Sequence, residues 1–230
     1  MRKKLTILCC LFAFLFLFPA GSRAAQTWRP ATEREAQRLA LSLFCQCAFH
    51  PEYPGSSSPS LLNRWDQEIT VWLGGNPTAE DRVFADGFLR ELNEKVPGLP
   101  GIRRVRMDSA ANIRIWYVGE YMLPHYIDGY VDGNWGFFHY DYRRDRITSA
   151  RIGIASDVTD QETRNHLFME ELVGALGLPG DHAIYADSIL YDPWTVTQEL
   201  SDVDWRMLNL LYSPAVSPGM TEAQARDALQ

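Results

Sequence analysis

One helix with a marked start and a marked stop constrains this chain most. Thr159-Asp160-Gln161-Glu162 reads as a capping box, and Gly177 with Pro179 ends the segment after about Leu176. At about 100° per residue, Phe168, Leu172, Ala175 and Leu176 fall on one face, the side expected to be buried. Thr163, His166, Glu170 and Gly174 form the opposite stripe, with Glu171 at its margin. Taken alone, that stripe reads as a solvated face.

The start of the chain predicts export. Arg2, Lys3 and Lys4 precede an uncharged apolar run over 5–18, then Pro19 and small residues up to Ala24 and Ala25, the pattern of a secretory signal peptide. The run is shorter than the roughly 20 residues a membrane span needs, so the expectation is cleavage and no stable transmembrane anchor. Cys9 and Cys10 lie inside the run and read as apolar residues of the signal. The expected location is periplasmic or secreted. Loss of residues 1–24 removes four of the 22 Lys and Arg and none of the 29 Asp and Glu, leaving 18 against 29 and a net charge of −11. Such a balance argues against nucleic acid as a partner.

An apolar fraction of 46% over the whole chain supports one core, and no linker or repeat divides the part after the leader. The expected organisation is a signal over 1–24, an N-terminal helix and loop over 25–66, the principal domain over 67–214, and a partly helical tail over 215–230. Ala36, Leu39, Ala40, Leu43 and Phe44 predict a helix over 32–48, with Thr32 and Glu35 as its capping box. Cys45 and Cys47 fall near its end and read as small buried hydrophobes, with a redox pair as the alternative. Pro51 to Pro59 reads as a surface loop. Ile69 to Leu73 reads as a strand, Thr78 to Val96 as a helix, and Ile102 to Met107, Ile113 to Val118 and Ala150 to Ala155 as further strands. This order predicts an α/β fold with a mixed sheet flanked by helices.

The insert from Glu120 to Arg146 is dense in aromatic residues, among them Tyr121, Trp135, Phe138, Tyr140 and Tyr142. A hairpin or edge strand with alternate rings on the core explains it, and a stacking surface for sugars or peptides is the alternative. His125 and His139 have no regular spacing to another candidate ligand and read as structural.

From about Ile69 to Pro214 the sequence resembles the metzincin zinc peptidases, and matrixins in particular. The likeness is most specific between Glu170 and Pro214. Glu171 stands where the catalytic Glu would be, and Ala175-Leu176-Gly177-Leu178 looks like the end of the active-site helix. Ser188-Ile189-Leu190-Tyr191 looks like the Met-turn, with Leu190 in place of Met. Leu200-Ser201, Asp204, Leu208, Leu211 and Tyr212 have the spacing of the closing helix. The departures fall on the metal ligands: Glu170 replaces the first His, Gly174 the second, and Gly180 falls at the third, with Asp181 and His182 just after. Zinc held by three His is therefore excluded. The run Glu170-Glu171-Leu172 through Leu178-Pro179 and Asp181 is also similar to an uncharacterised bacterial family of exported proteins, some described as lipoproteins.

Three functions compete on this basis. The first is a non-catalytic, metzincin-like exported protein whose cleft binds a peptide, a protein or a cell-envelope component, with no cofactor. The second is a peptidase or amidase with a rebuilt zinc site using His166 and Glu170 with Asp181 or His182, and Glu171 as general base. The third is a carbohydrate- or peptidoglycan-binding module that uses the aromatic insert.

Overall fold

The structure is a computed structural model that describes residues 26–51 and 61–230. The expected signal peptide and most of the loop from Pro51 to Pro59 lie outside the described residues. Five strands form one mixed sheet: β1 (Ile69–Gly75), β2 (Ile102–Arg104), β3 (Ile113–Val118), β4 (Gly136–Arg143) and β5 (Arg146–Ala155), in the order β2-β1-β3-β5-β4. The first four of that order run parallel, and β4 closes one edge antiparallel to β5. The helices are α1 (Glu33–Phe49), α2 (Ala79–Lys95), α3 (Leu123–Tyr126), α4 (Gln161–Leu176), α5 (Asp202–Leu211) and α6 (Glu222–Ala228).

Alternation of β-branched and apolar residues sets the sheet's inner face. Ile69, Val71 and Leu73 on β1, Ile113, Ile115 and Tyr117 on β3, and Ala150, Ile152 and Ile154 on β5 are all buried in one continuous core with α2, α4 and α5. The parallel β1–β2 pair needs a crossover, which α2 supplies. Thr78 caps α2 by accepting from the Asp81 amide while Asp81 returns a bond to the Thr78 amide. The β4–β5 hairpin turns through Arg144 and Asp145, both at positive φ (53° and 62°), the pair of left-handed residues a tight hairpin turn requires.

The mixed α/β architecture expected from the element order is the one observed, with differences in detail. β2 ends at Arg104 instead of Met107, where its pairing with β1 stops at Val71, and the Arg104 guanidinium reaches Asp86 on α2 in a two-pronged ion pair at 2.6 and 2.7 Å. The aromatic insert is not one surface. It contains the short α3, then the edge strand β4, whose Phe138 and Tyr140 pack on the core while Tyr142 is exposed. α1 begins and ends within a residue of expectation, capped by Thr32, and joins the same core as β1 to β5, with Cys45 and Cys47 as buried free thiols. The cap of α4 is Asp160, not Thr159: its carboxylate accepts from the Thr163 amide at 2.9 Å, while the Thr159 hydroxyl bonds the Ala155 carbonyl.

Candidate functional site

α4 carries the candidate residues, and it is buried on nearly every side. The polar stripe does not face water: Thr163, His166 and Gly174 are buried, as is Glu171 at its margin, and Glu170 is half-buried, because β4 lies over Glu171 and Gly174 and the segment of Trp194 and Thr197 lies over His166. Two contacts show how close the strand lies. A Cβ added to Gly136 would stand 2.4 Å from Glu171 Oε1, and one added to Gly174 would stand 2.4 Å from the Phe138 ring. Glycine on both elements lets strand and helix meet at a distance that side chains would forbid.

His166, 2% exposed, bonds the Thr197 carbonyl through Nδ1 at 3.1 Å, and a carbonyl only accepts, so Nδ1 holds the proton. Its Nε2 lies 3.5 Å from Glu170 Oε2, one helical turn on, and its ring meets Trp194 at 5.5 Å between centroids. Burial lowers the His166 pKa, and the bond to Thr197 opposes that shift. Glu170 is half-buried beside it, and Glu171, 8% exposed, lies under β4.

A second set of chemically capable residues gathers at the far end of the turn. His182 Nδ1 accepts from the Ile184 amide at 3.3 Å, so Nε2 carries the proton and donates to Ser188 Oγ at 3.0 Å. Ser188 in turn donates to Asp204 Oδ1, and its oxygen also accepts from the Leu190 amide at 3.1 Å. Asp204 Oδ2 accepts from the Ile189 amide at 3.1 Å, the Ser201 amide at 2.8 Å and the Ser201 hydroxyl at 2.7 Å. Burial holds the His182 imidazole neutral, with a pKa pushed down to about 4, and pushes the Asp204 carboxyl up against the pull of its hydrogen bonds. Ser, His and Asp are the residues of nucleophilic hydrolysis, but here Ser188 sits in the middle and gives its proton to Asp204. All three side chains are closed to solvent. The network is a clamp that fixes the 188–191 turn onto the N-terminus of α5. Ser188 and Asp204 were visible in sequence only as parts of two separate motifs, and nothing in their spacing announced the bond between them.

The structure brings His166 and Glu170 together and leaves the other candidates apart from them. His182 is committed to Ser188 and the Ile184 amide. Asp181 is half-buried against α1, where its carbonyl accepts from the Gln46 side chain at 2.9 Å. Among the described residues, no group of three or more His, Cys, Asp or Glu is placed to hold a metal ion. A three-His zinc site does not fit either. The second ligand position, Gly174, is covered by the Phe138 ring, and a Cβ on Gly180 at the third would lie 2.1 Å from the His50 carbonyl oxygen.

Trp135 stands out in the sequence as part of the aromatic insert, but its pairing with Trp194 does not. Trp135, at the entry to β4, meets Trp194, from the segment after the 188–191 turn, with ring centroids 5.8 Å apart and planes at 85°. Trp135 is 40% exposed and Trp194 56%, while His166 packs on Trp194 from below. No periodicity links residues so far apart in the chain. The pair forms a right-angled aromatic corner open to solvent, with the His166–Glu170 pair at its base.

Comparison with curated proteins finds no match. A family model matches residues 38–230, from within α1 through the turn clamp to α6, and the chain belongs to the family described as "Protein of unknown function (DUF2927)".

Proposed function

We propose that this chain is an exported, non-catalytic binding protein on a metzincin-like frame, and that it takes a peptide or another cell-envelope component on the side where β4, α4 and the 188–198 segment meet. The observation that carries the reading is the closure of two ligand positions: the Phe138 ring lies on Gly174 and the His50 carbonyl on Gly180, each within 2.4 Å of where a Cβ would stand. A side chain long enough to reach an ion has no room at either place. The frame itself is supported by the strand order with one antiparallel edge strand over α4, and by the turn at Ser188–Tyr191 that Asp204 underpins. Export rests on the basic and apolar start of the sequence.

The test is metal analysis and hydrolysis on one preparation. Protein secreted through its own leader should begin after Ala24 by intact mass, retain no stoichiometric transition metal after zinc loading and dialysis, and leave peptide and muropeptide substrates uncut. One zinc per chain together with hydrolysis abolished by Glu171→Gln would overturn the proposal. It would favour the rebuilt site of His166, Glu170 and Asp181 or His182, with Glu171 as base.

A further inference from the structure

We infer that the Trp135–Trp194 corner is a binding site for an organic cation, the side chain of a lysine or arginine in an extended peptide. This rests on the binding-protein reading above and names the chemistry of its ligand. The two indoles meet edge to face at 85° and both keep surface open to solvent, and a cation on an aromatic face is attracted by the ring's quadrupole.

A neutral sugar would also stack on such rings, so the surrounding charge decides between them. The corner is built from three stretches of chain: Trp135 from β4's approach, the 155–158 segment whose Ala155 amide donates to the Trp135 carbonyl at 2.7 Å, and Trp194 with His166 beneath it. Residues 115–142, 152–163 and 165–205 contain no Lys or Arg at all. The last of these alone holds eight Asp and Glu. Of the cations between these stretches, Arg164 is turned inward to Asp81 at 3.1 Å with only 12% of its side chain exposed, Arg151 pairs with Asp128 at 2.6 Å, and Arg143, Arg144 and Arg146 sit at the turn of the β4–β5 hairpin, at the opposite end of β4 from Trp135. A field of one sign over a shallow aromatic site raises the local concentration of ligands of the opposite sign, and Glu170, 3.5 Å from the His166 ring that packs on Trp194, adds a negative charge to that field.

The experiment follows the indole N–H resonances of Trp135 and Trp194 by 1H–15N NMR in the full mature chain, assigned by Trp135→Phe and Trp194→Phe. The probes are acetyl-Gly-Lys-Gly-Lys-Gly-amide, the same peptide with both lysines Nε-acetylated, and chitotetraose, each taken to about 10 mM. The lysine peptide should move both resonances saturably, and the acetylated peptide should bind at least about tenfold more weakly. Trp194→Leu should weaken the lysine peptide about three- to tenfold, Glu170→Gln about threefold, and a change from about 50 to about 300 mM salt by a similar factor. Equal response to the acetylated peptide, a tighter response to chitotetraose, or no response to the lysine peptide overturns the cation assignment. Mass spectrometry of the peptide after each titration keeps the two readings apart. Intact peptide with no cation preference defeats only this inference, whereas zinc-dependent cleavage defeats the non-catalytic reading whatever the resonances do.

Discussion

Glycine at 180 is required by a neighbour's backbone. The space its side chain would fill contains the His50 carbonyl oxygen, 2.1 Å from the ideal Cβ, and a backbone atom tied into α1 cannot swing aside as a ring edge can. Gly180→Ala should therefore cost about 2–3 kcal/mol, read as a lowered denaturant midpoint at unchanged slope. Gly87→Ala is the control: in the middle of α2, its Cβ would meet nothing nearer than the Arg90 guanidinium at 3.9 Å. It should gain up to about 1 kcal/mol from helix propensity. His182 makes a prediction about pH. Its pKa is about 4 in the fold and about 6.5 in the unfolded chain. Between those values the unfolded state binds the proton and the native state does not, so stability falls as pH drops from about 6.5 to about 4. The loss from this one group is about 3 kcal/mol across the window. His166 titrates alike in wild type and His182→Gln, so the difference between their stability–pH curves reports His182 together with any change at Asp204, to which Ser188 links it, and its slope should be positive in that window.

The 188–191 turn has no ladder or helix of its own, and it is held by the N-terminus of α5. Asp204 joins the two by accepting from Ser188 and the Ile189 amide on one side and from Ser201 on the other. Asp204→Ala leaves those donors buried without an acceptor, at a cost of about 3 kcal/mol or more. Hydrogen exchange should locate the damage: the Ile189 amide and its neighbours in the turn should lose protection, while the β3 and β5 amides keep theirs. Sequence made much of this element-level picture legible because its signals are local. Thr32 and Thr78 announced their helices, and alternation announced β1, β3 and most of β5. The cap of α4 was ambiguous by one residue because Thr159 and Asp160 are both competent caps, and only the fold commits Thr159 to the Ala155 carbonyl. The burial of the His166–Gly174 stripe was illegible for a different reason. It depends on Gly136 and Phe138 of β4 arriving from some 35 residues earlier and on Trp194 and Thr197 arriving from later in the chain, and amphipathic periodicity reports a helix's own composition and says nothing about segments laid over it. Trp194 carried no signal, since a single aromatic after a turn is an ordinary surface residue until its partner is known.

At the scale of the whole molecule, the N-terminal helix belongs to the same folding unit as the sheet. Residues 25–66 can be told apart from 67–214 by sequence, but α1 places nine buried residues in the common core and packs against α5 and α6. Its C-terminal turn also receives the loop after α4: the Gly180 amide donates to the Cys47 carbonyl at 2.9 Å, and Gln46 bonds the Asp181 carbonyl. Ahead of the helix, the Trp28 amide and indole bond Asp187 and Asp202, so the same N-terminal segment braces both the turn clamp and α5. Burying Leu43, Phe44 and Phe49 alone is worth about 1.5–3 kcal/mol each, and a domain's total stability is about 5–15 kcal/mol. A chain begun at residue 61 should therefore show no cooperative thermal transition and should expose apolar surface to a hydrophobic dye. A chain begun at residue 26 should melt in one step. Coincident loss of the far-ultraviolet helix signal and of near-ultraviolet aromatic ellipticity in that longer chain would show one cooperative unit. Two separated transitions would instead make α1 an independent appendage and would remove the His50 carbonyl as a fixed wall of the candidate site.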